Sequence, residues 1–474
     1  MSNLNRREFL KVSAAFGVGA MAAGYPDHMR GISHALGKIA EGPLIRDVMK
    51  TLDAGSATHI RPQIRSEILE NPKAVFIIKT SVRATKDGKG SFDSAGPQLE
   101  KTGYDVASAI FEKGNDRGGK TTINPNWTYI PPKLRHPTIG VTTAPQFVAG
   151  FHNGLSELGS TNNVVSERSA GSKFLEQAGH LDIVGAAGLH FIDAKYGKFN
   201  QYLKDELNWF KMKKGVVWKR VPVFRPHFDE DAFTINMPTL KCHNLGLTTL
   251  SIKNMQGFVP TGYGHYCDQW SQMHTMRPEM QKDLHGDYWQ NVEEKFKEHK
   301  AQNWKYYDIE NAYEPYQAEG GWEKFKKVRK DRRKADGFMK KAKARNLMWD
   351  EQWGQRTVDT LEVLKPDINI IEGVIGRDGD AFGNGEDYLT NYVVAGLDLV
   401  AVDTVGSYLM GHNPENLFYL KIANERGYGP ISMEQIPLFE INGRSVEKVT
   451  DYTALERHRL AVDLHSRRED FRIF

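Results

Sequence analysis

The chain has 474 residues, 40% of them hydrophobic and 26% charged, with a formal net charge of +4. That length can bury a large core as two α/β lobes or one elaborated domain, while so small a net charge does not by itself imply a nucleic-acid binder. Two cysteines exclude a self-contained four-cysteine iron-sulfur cluster and leave a metal ion or another cofactor open.

In chain order, Asn5-Arg6-Arg7-Glu8-Phe9-Leu10-Lys11 precedes a weakly apolar Gly/Ala-rich run to residue 24. Residues 1–24 therefore resemble a twin-arginine signal peptide, departing from the usual pattern in Asn5. This implies use of the twin-arginine export machinery and a periplasmic location. The run is too short to cross a bilayer, and no other stretch approaches that length, so no transmembrane span is expected. Residues 25–72 read as an N-terminal extension.

Residues 73–230 alternate strand-like and helix-like patterns, which predicts a first α/β lobe. Strands are expected at 73–82, 120–126, 163–168 and 189–193, and helices at 103–112, 145–158 and 174–187. Pro145 suits a first helical turn, and Phe147, Val148, Phe151 and Leu155 fall at helical spacing. A second lobe is expected over 231–430, with strands at 232–237 and 368–373, a helix through 410 capped by Asp398, and a helix at 414–425. Residues 431–474 form a C-terminal extension. The expected fold class is α/β, two lobes with mostly parallel sheets flanked by helices, interrupted at 266–345 by a helical, basic, aromatic-rich insertion. Within it, residues 324–345 hold 12 Lys or Arg and 2 Asp. That run reads as a solvated helix face, or as a docking surface for an acidic partner such as a periplasmic redox protein. Export argues against nucleic acid.

Seven motifs then occur in a specific order: Asn124-Pro-Asn126, residues 143–148 (TAPQFV), 164–171 (VVSERSAG), 233–243 (FTINMPTLKCH), 251–257 (SIKNMQG), 365–373 (KPDINIIEG) and 395–405 (AGLDLVAVDTV). Together they resemble the domain-of-unknown-function family 362 across roughly residues 73–265 and 345–430. The sequence departs from that family at Cys242, where a small hydroxyl residue is common, at Glu372, where aspartate is usual, and in the length of 266–345.

The strand entering at Phe233 delivers Lys241 and His243 to one face at a carboxyl end, where open α/β sheets place ligands. Thr248, Thr249, Asn254 and Asn126 are candidates for holding an anionic cofactor, together with Lys241. Lys253 is a candidate point charge, base or attachment amine, and Glu372, ending an apolar strand, a candidate general base. The nine residues between His243 and Lys253 are similar to a spacing in the lactate racemase family, which implies a lysine-tethered nickel cofactor and an isomerase class. The alternative for this pair is a core histidine and a lysine paired with Asp398 or Asp403.

Metal candidates are His243, Cys242, His265 and Cys267, and Asp378 and Asp380 in the Gly-rich stretch 376–387, which otherwise reads as a turn-rich loop. Cys242 and Cys267 could equally form a disulfide or stay free. No dinucleotide fingerprint, phosphate-binding loop or nucleophile elbow is present. The expectation is an exported protein that binds a metal or anionic cofactor in an interlobe cleft for redox or isomerase-type chemistry. Its alternative is a non-catalytic binding or maturation partner of a periplasmic redox enzyme.

Overall fold

The computed structural model describes residues 59–259 and 347–460, apart from short stretches within them. The signal, the insertion with its basic run, His265 and Cys267 lie outside the described residues.

Eleven strands form one mixed, mostly parallel sheet: β1 (Val75–Lys79), β2 (Thr121–Pro125), β3 (Asn163–Glu167), β4 (His190–Asp193), β5 (Phe233–Met237), β6 (Thr239–His243), β7 (Leu247–Thr249), β8 (Ile368–Arg377), β9 (Asp387–Gly396), β10 (Leu438–Asn442) and β11 (Ser445–Lys448). Their order is β11-β10-β1-β9-β8-β5-β2-β3-β4, and β6 branches off alongside β8 to carry β7 as a hairpin. The two sets of strands expected as separate lobes are interleaved here. Strand β5 of the second set lies between β2 of the first and β8, parallel to both, and the C-terminal β10 runs parallel to β1.

Burial on both faces explains the near-continuous apolar strands. In β1, Val75 and Ile77 pack on one face while Phe76 and Ile78 pack on the other; Ile371 and Ile370 of β8 divide the same way. The face of Phe76 is covered by α1 (Gly96–Ile110) and α2 (Pro145–Glu157), through Leu99, Val106, Phe147 and Phe151. These helices approach so closely that a Cβ on Gly103 would lie 2.0 Å from the Phe147 carbonyl oxygen, a contact only glycine permits. The opposite face is covered by α3 (Ser251–Asn254), α4 (Leu347–Asp359), α5 (Leu399–Leu409) and α6 (Phe418–Glu425).

Several local expectations are met: Pro145 opens α2, and Asp398 caps α5, its Oδ1 accepting from the Val400 and Ala401 N–H groups. Others shift. The helix expected at 174–187 is two, Ser172–Gln177 and His180–Ala186, divided at Gly179 with φ +76°. Residues 391–396 belong to β9, which starts at Asp387, and β8 runs on to Arg377, so the expected loop at 376–387 is closed at its two ends by a strand pair in which Arg377 faces Asp387. No described helix is long and apolar enough to cross a membrane.

Candidate functional site

Three adjacent parallel strands carry asparagine at one level. Asn236 of β5 is in register with Asn124 of β2 and Asn369 of β8. Asn236 Nδ2 donates to Asn369 Oδ1 (2.9 Å), and Asn254 of α3 donates to Asn236 Oδ1 (2.8 Å) and the Asn124 carbonyl (3.0 Å). All four are buried, and buried amides hold position because leaving one unpaired costs about 1–3 kcal/mol. Asn254, expected to hold a cofactor, therefore fastens α3 to the sheet.

Beyond this row the strands end, and a polar centre begins. Alternation along β6 sends Lys241 and Cys242 to opposite sides. The Lys241 Nζ donates to Asn126 Oδ1 (3.0 Å) and to the Val141 carbonyl, with Lys241 2% exposed. Asn126 directly follows β2. Its N–H donates to Thr143 Oγ1 (2.9 Å), which in turn donates to the Met237 carbonyl at the end of β5 (2.8 Å). The loop before α2 is thereby fixed against two strand ends.

Glu372 lies in β8 opposite Thr239 of β6 and is fully buried. A register shift between Gly373 and Ile375, a bulge in the ladder, goes with an unusual arrangement of the carboxylate. Its Oε1 accepts from the N–H groups of Val374 (2.9 Å) and Ile375 (3.4 Å), and its Oε2 from Ala144 at the start of α2 (3.4 Å). Burial pushes its pKa up to about 7, against the opposing pull of these N–H groups. A carboxyl with that pKa can both take up and release a proton near neutrality.

The β8–β9 end adds a buried ion pair, Arg377 with Asp387 at 2.8 Å, each side chain 2% exposed; Asp387 also accepts from the Gly140 N–H at 3.2 Å. Asp378 accepts from the Glu386 N–H (2.6 Å) and the Tyr388 hydroxyl (3.0 Å), so it closes the hairpin. Asp380 is buried.

The remaining predicted residues are placed differently. Cys242 is a buried thiol that donates to the Leu460 carbonyl (3.1 Å) and lies 3.8 Å from His412 Nε2. Burial pushes the His412 ring down to about 3, so it is a neutral neighbour. His243 Nδ1 accepts from the Gly246 N–H (3.3 Å), bracing the β6–β7 turn. Thr248 Oγ1 meets the Tyr419 hydroxyl at 2.7 Å, and Thr249, buried, pairs with Lys241 across the hairpin. Neither Asp398 nor Asp403 forms an ion pair with the half-buried Lys253 among the described residues: Asp403 instead accepts from the Ser251 and Ile252 N–H groups at 2.6 and 3.0 Å. Cys242, His243, Asp378 and Asp380 do not form a metal-sized cluster among the described residues, because strand alternation and the hairpin turn point them apart. The one such cluster there is Asp87, Asp93 and His136, which sequence reading missed because its members have no diagnostic spacing. Asn126, Lys241 and Glu372 are brought to one end of the sheet; the pairing of Arg377 with Asp387 and the Ala144 N–H were not foreseen.

A family model described as Domain of unknown function (DUF362) matches residues 122–408, well over half of the chain, spanning β2 to α5. No curated protein matches the chain, and no solved structure does.

Proposed function

The chain belongs to the family described as Domain of unknown function (DUF362), and from that premise we propose that it is an exported enzyme of the isomerase or redox type. In this reading the centre formed by Lys241, Asn126 and Glu372 takes a small anionic substrate or cofactor and moves a proton on it. The observation that carries the reading is the Glu372 carboxyl: buried where β2 and β5 end, held by backbone N–H groups, and raised to about 7. Perturbed carboxyls at such positions are the expected equipment of a general acid–base.

The roles divide by chemistry. Lys241 supplies positive charge for a carboxylate or phosphate group, and Asn126, which already accepts from Nζ, fixes its direction. The Ala144 N–H, at the positive end of α2, favours negative charge at the same place. Glu372 takes the proton on one half of the cycle and returns it on the other. Export is supported by the arginine pair at Arg6 and Arg7.

The test uses the full-length protein with a panel of small carboxylates and phosphates. Thermal shift reports binding, and solvent-deuterium incorporation read by NMR reports proton transfer. The expected result is a stabilising anion that Lys241→Met no longer responds to, and that Glu372→Gln still binds but no longer exchanges. Exchange by Glu372→Gln at the wild-type rate would sink the assignment.

A second reading, a binding or maturation partner, is favoured by the 12 Lys or Arg among residues 324–345. Deleting residues 270–340 separates the two. An enzyme keeps its anion response and exchange, whereas a partner loses its complex in pull-down and shows no exchange in either form.

A further inference from the structure

Outside the centre just described, one cluster has the chemistry of a cation site. We propose that Asp87, Asp93 and His136 bind a divalent first-row metal ion, of the manganese or zinc type, at a site separate from Glu372. Each of the three residues offers a ligand atom, and those atoms lie within 4.8 Å of one another. His136 Nε2 lies 2.5 Å from Asp93 Oδ1, and metal–ligand bonds of roughly 2.0–2.2 Å require only a small opening of that pair. Two carboxylates and an imidazole form a mixed oxygen and nitrogen set of the kind such metals take.

Two surrounding features support a ligand here. The second ring nitrogen is held by Thr138: His136 Nδ1 accepts from the Thr138 N–H at 3.3 Å and lies 3.0 Å from Thr138 Oγ1, so a metal on Nε2 shifts the ring proton to Nδ1, where Thr138 Oγ1 accepts it. Metal-bound histidines are characteristically oriented by such a contact. In addition, Ser91 is 3% exposed and its hydroxyl has no hydrogen-bond partner among the described residues, although its N–H donates to Asp87 Oδ1 at 2.9 Å. A buried orphan hydroxyl is costly, and this one belongs to the residue whose N–H already bonds Asp87. Lys86, next to Asp87, lies over the Tyr388 ring at 5.2 Å and the Phe92 ring at 5.7 Å and pairs with Glu386.

The location ties this site to the chemistry. A single segment, residues 136–144, carries His136 at one end. Towards its other end it carries the Val141 carbonyl, Thr143 and the Ala144 N–H, which bond Lys241, Asn126 and Glu372 respectively. A cation on His136 therefore anchors the free end of the segment that builds the centre.

The experiment titrates full-length, chelator-stripped protein with zinc chloride and with manganese chloride in a calorimeter. One equivalent should bind to the wild type, and Asp93→Asn and His136→Ala should each weaken binding tenfold or more. The Asp93 side chain is 54% exposed, so that variant leaves the core untouched. Glu372→Gln should bind like wild type, which keeps this result independent of the acid–base assignment. Absence of binding to the wild type, or undiminished binding in either ligand variant, overturns the proposal.

Discussion

Two buried carboxyls in this molecule have the same titration behaviour and different surroundings. Glu372 at the strand ends and Asp403 on α5 are both fully buried, and burial pushes both up to about 7. Asp403 accepts two short bonds from consecutive N–H groups at the start of α3, and the Tyr419 hydroxyl, which also meets Thr248, interacts with it. It is enclosed in a network that α3, α5 and α6 complete. Glu372 is held by N–H groups from two distant segments, two of the three at 3.4 Å, in a region that also contains Lys241, Asn126 and a helix start. A raised pKa reports burial; what the carboxyl can do depends on whether its surroundings are closed by structure or left loosely bonded.

The comparison can be broken most strongly at Asp403. Asp403→Ala leaves two buried N–H groups without acceptors and should cost about 3–5 kcal/mol, read as a lowered midpoint in urea denaturation. Loss of less than about 1 kcal/mol would show that the network is not structural.

The next effect is in pH. For Glu372 the folded-state pKa, about 7, exceeds the ordinary carboxylate value of 4.5, so the folded state binds the proton more tightly than the unfolded state. Its contribution to stability is complete below about 4.5 and is lost as pH rises through about 7. Glu372→Gln should remove this slope, gaining on the order of 2–3 kcal/mol relative to wild type between pH 5 and pH 8; denaturation at both pH values measures it. A parallel displacement at the two pH values would contradict it.

A smaller effect is expected at Lys241. Lys241→Met orphans Asn126 Oδ1 and the Val141 carbonyl and should cost about 1–2 kcal/mol while abolishing the thermal response to anions. The smallest effect is at Lys253, half-buried and outside every ion pair among the described residues. Lys253→Ala should change stability by less than about 0.5 kcal/mol and leave anion binding intact, and loss of anion binding would move the site toward α3.

Much of the local structure was legible in the sequence because it depends on near neighbours. Alternation separated Lys241 from Cys242, Pro145 marked the start of α2, and Asp398 marked that of α5. The pairing of strands was not legible. Asn124, Asn236 and Asn369 each fall in an expected strand, and only the register of β2, β5 and β8 turns them into a row. The same holds for the single sheet in place of two lobes, since β2 meets β5 across more than a hundred residues of chain. Glu372 was visible as an acid of an apolar strand, but it was expected at the strand's end and lies midway along β8, and the bulge that turns its own backbone toward it was not legible. Asp87 and Asp93 lie before the stretch matched by the family model, so family motifs gave them no prominence, and their nearness to His136 is set by the loop that precedes α2.

The asparagine row has a further consequence for how the chain reaches this fold. Parallel apolar strands rich in valine and isoleucine can slide past one another with little change in greasy contact, and a slipped pairing is a ready kinetic trap. A two-residue slip of β5 would preserve which side chains face which layer, yet it would strand several buried amides, each at about 1–3 kcal/mol. The row therefore acts as a proofreading key: it makes the misaligned sheets the apolar residues tolerate unstable enough to reopen, and only the register that builds the Lys241 and Glu372 centre brings Asn236 to both Asn369 and Asn254.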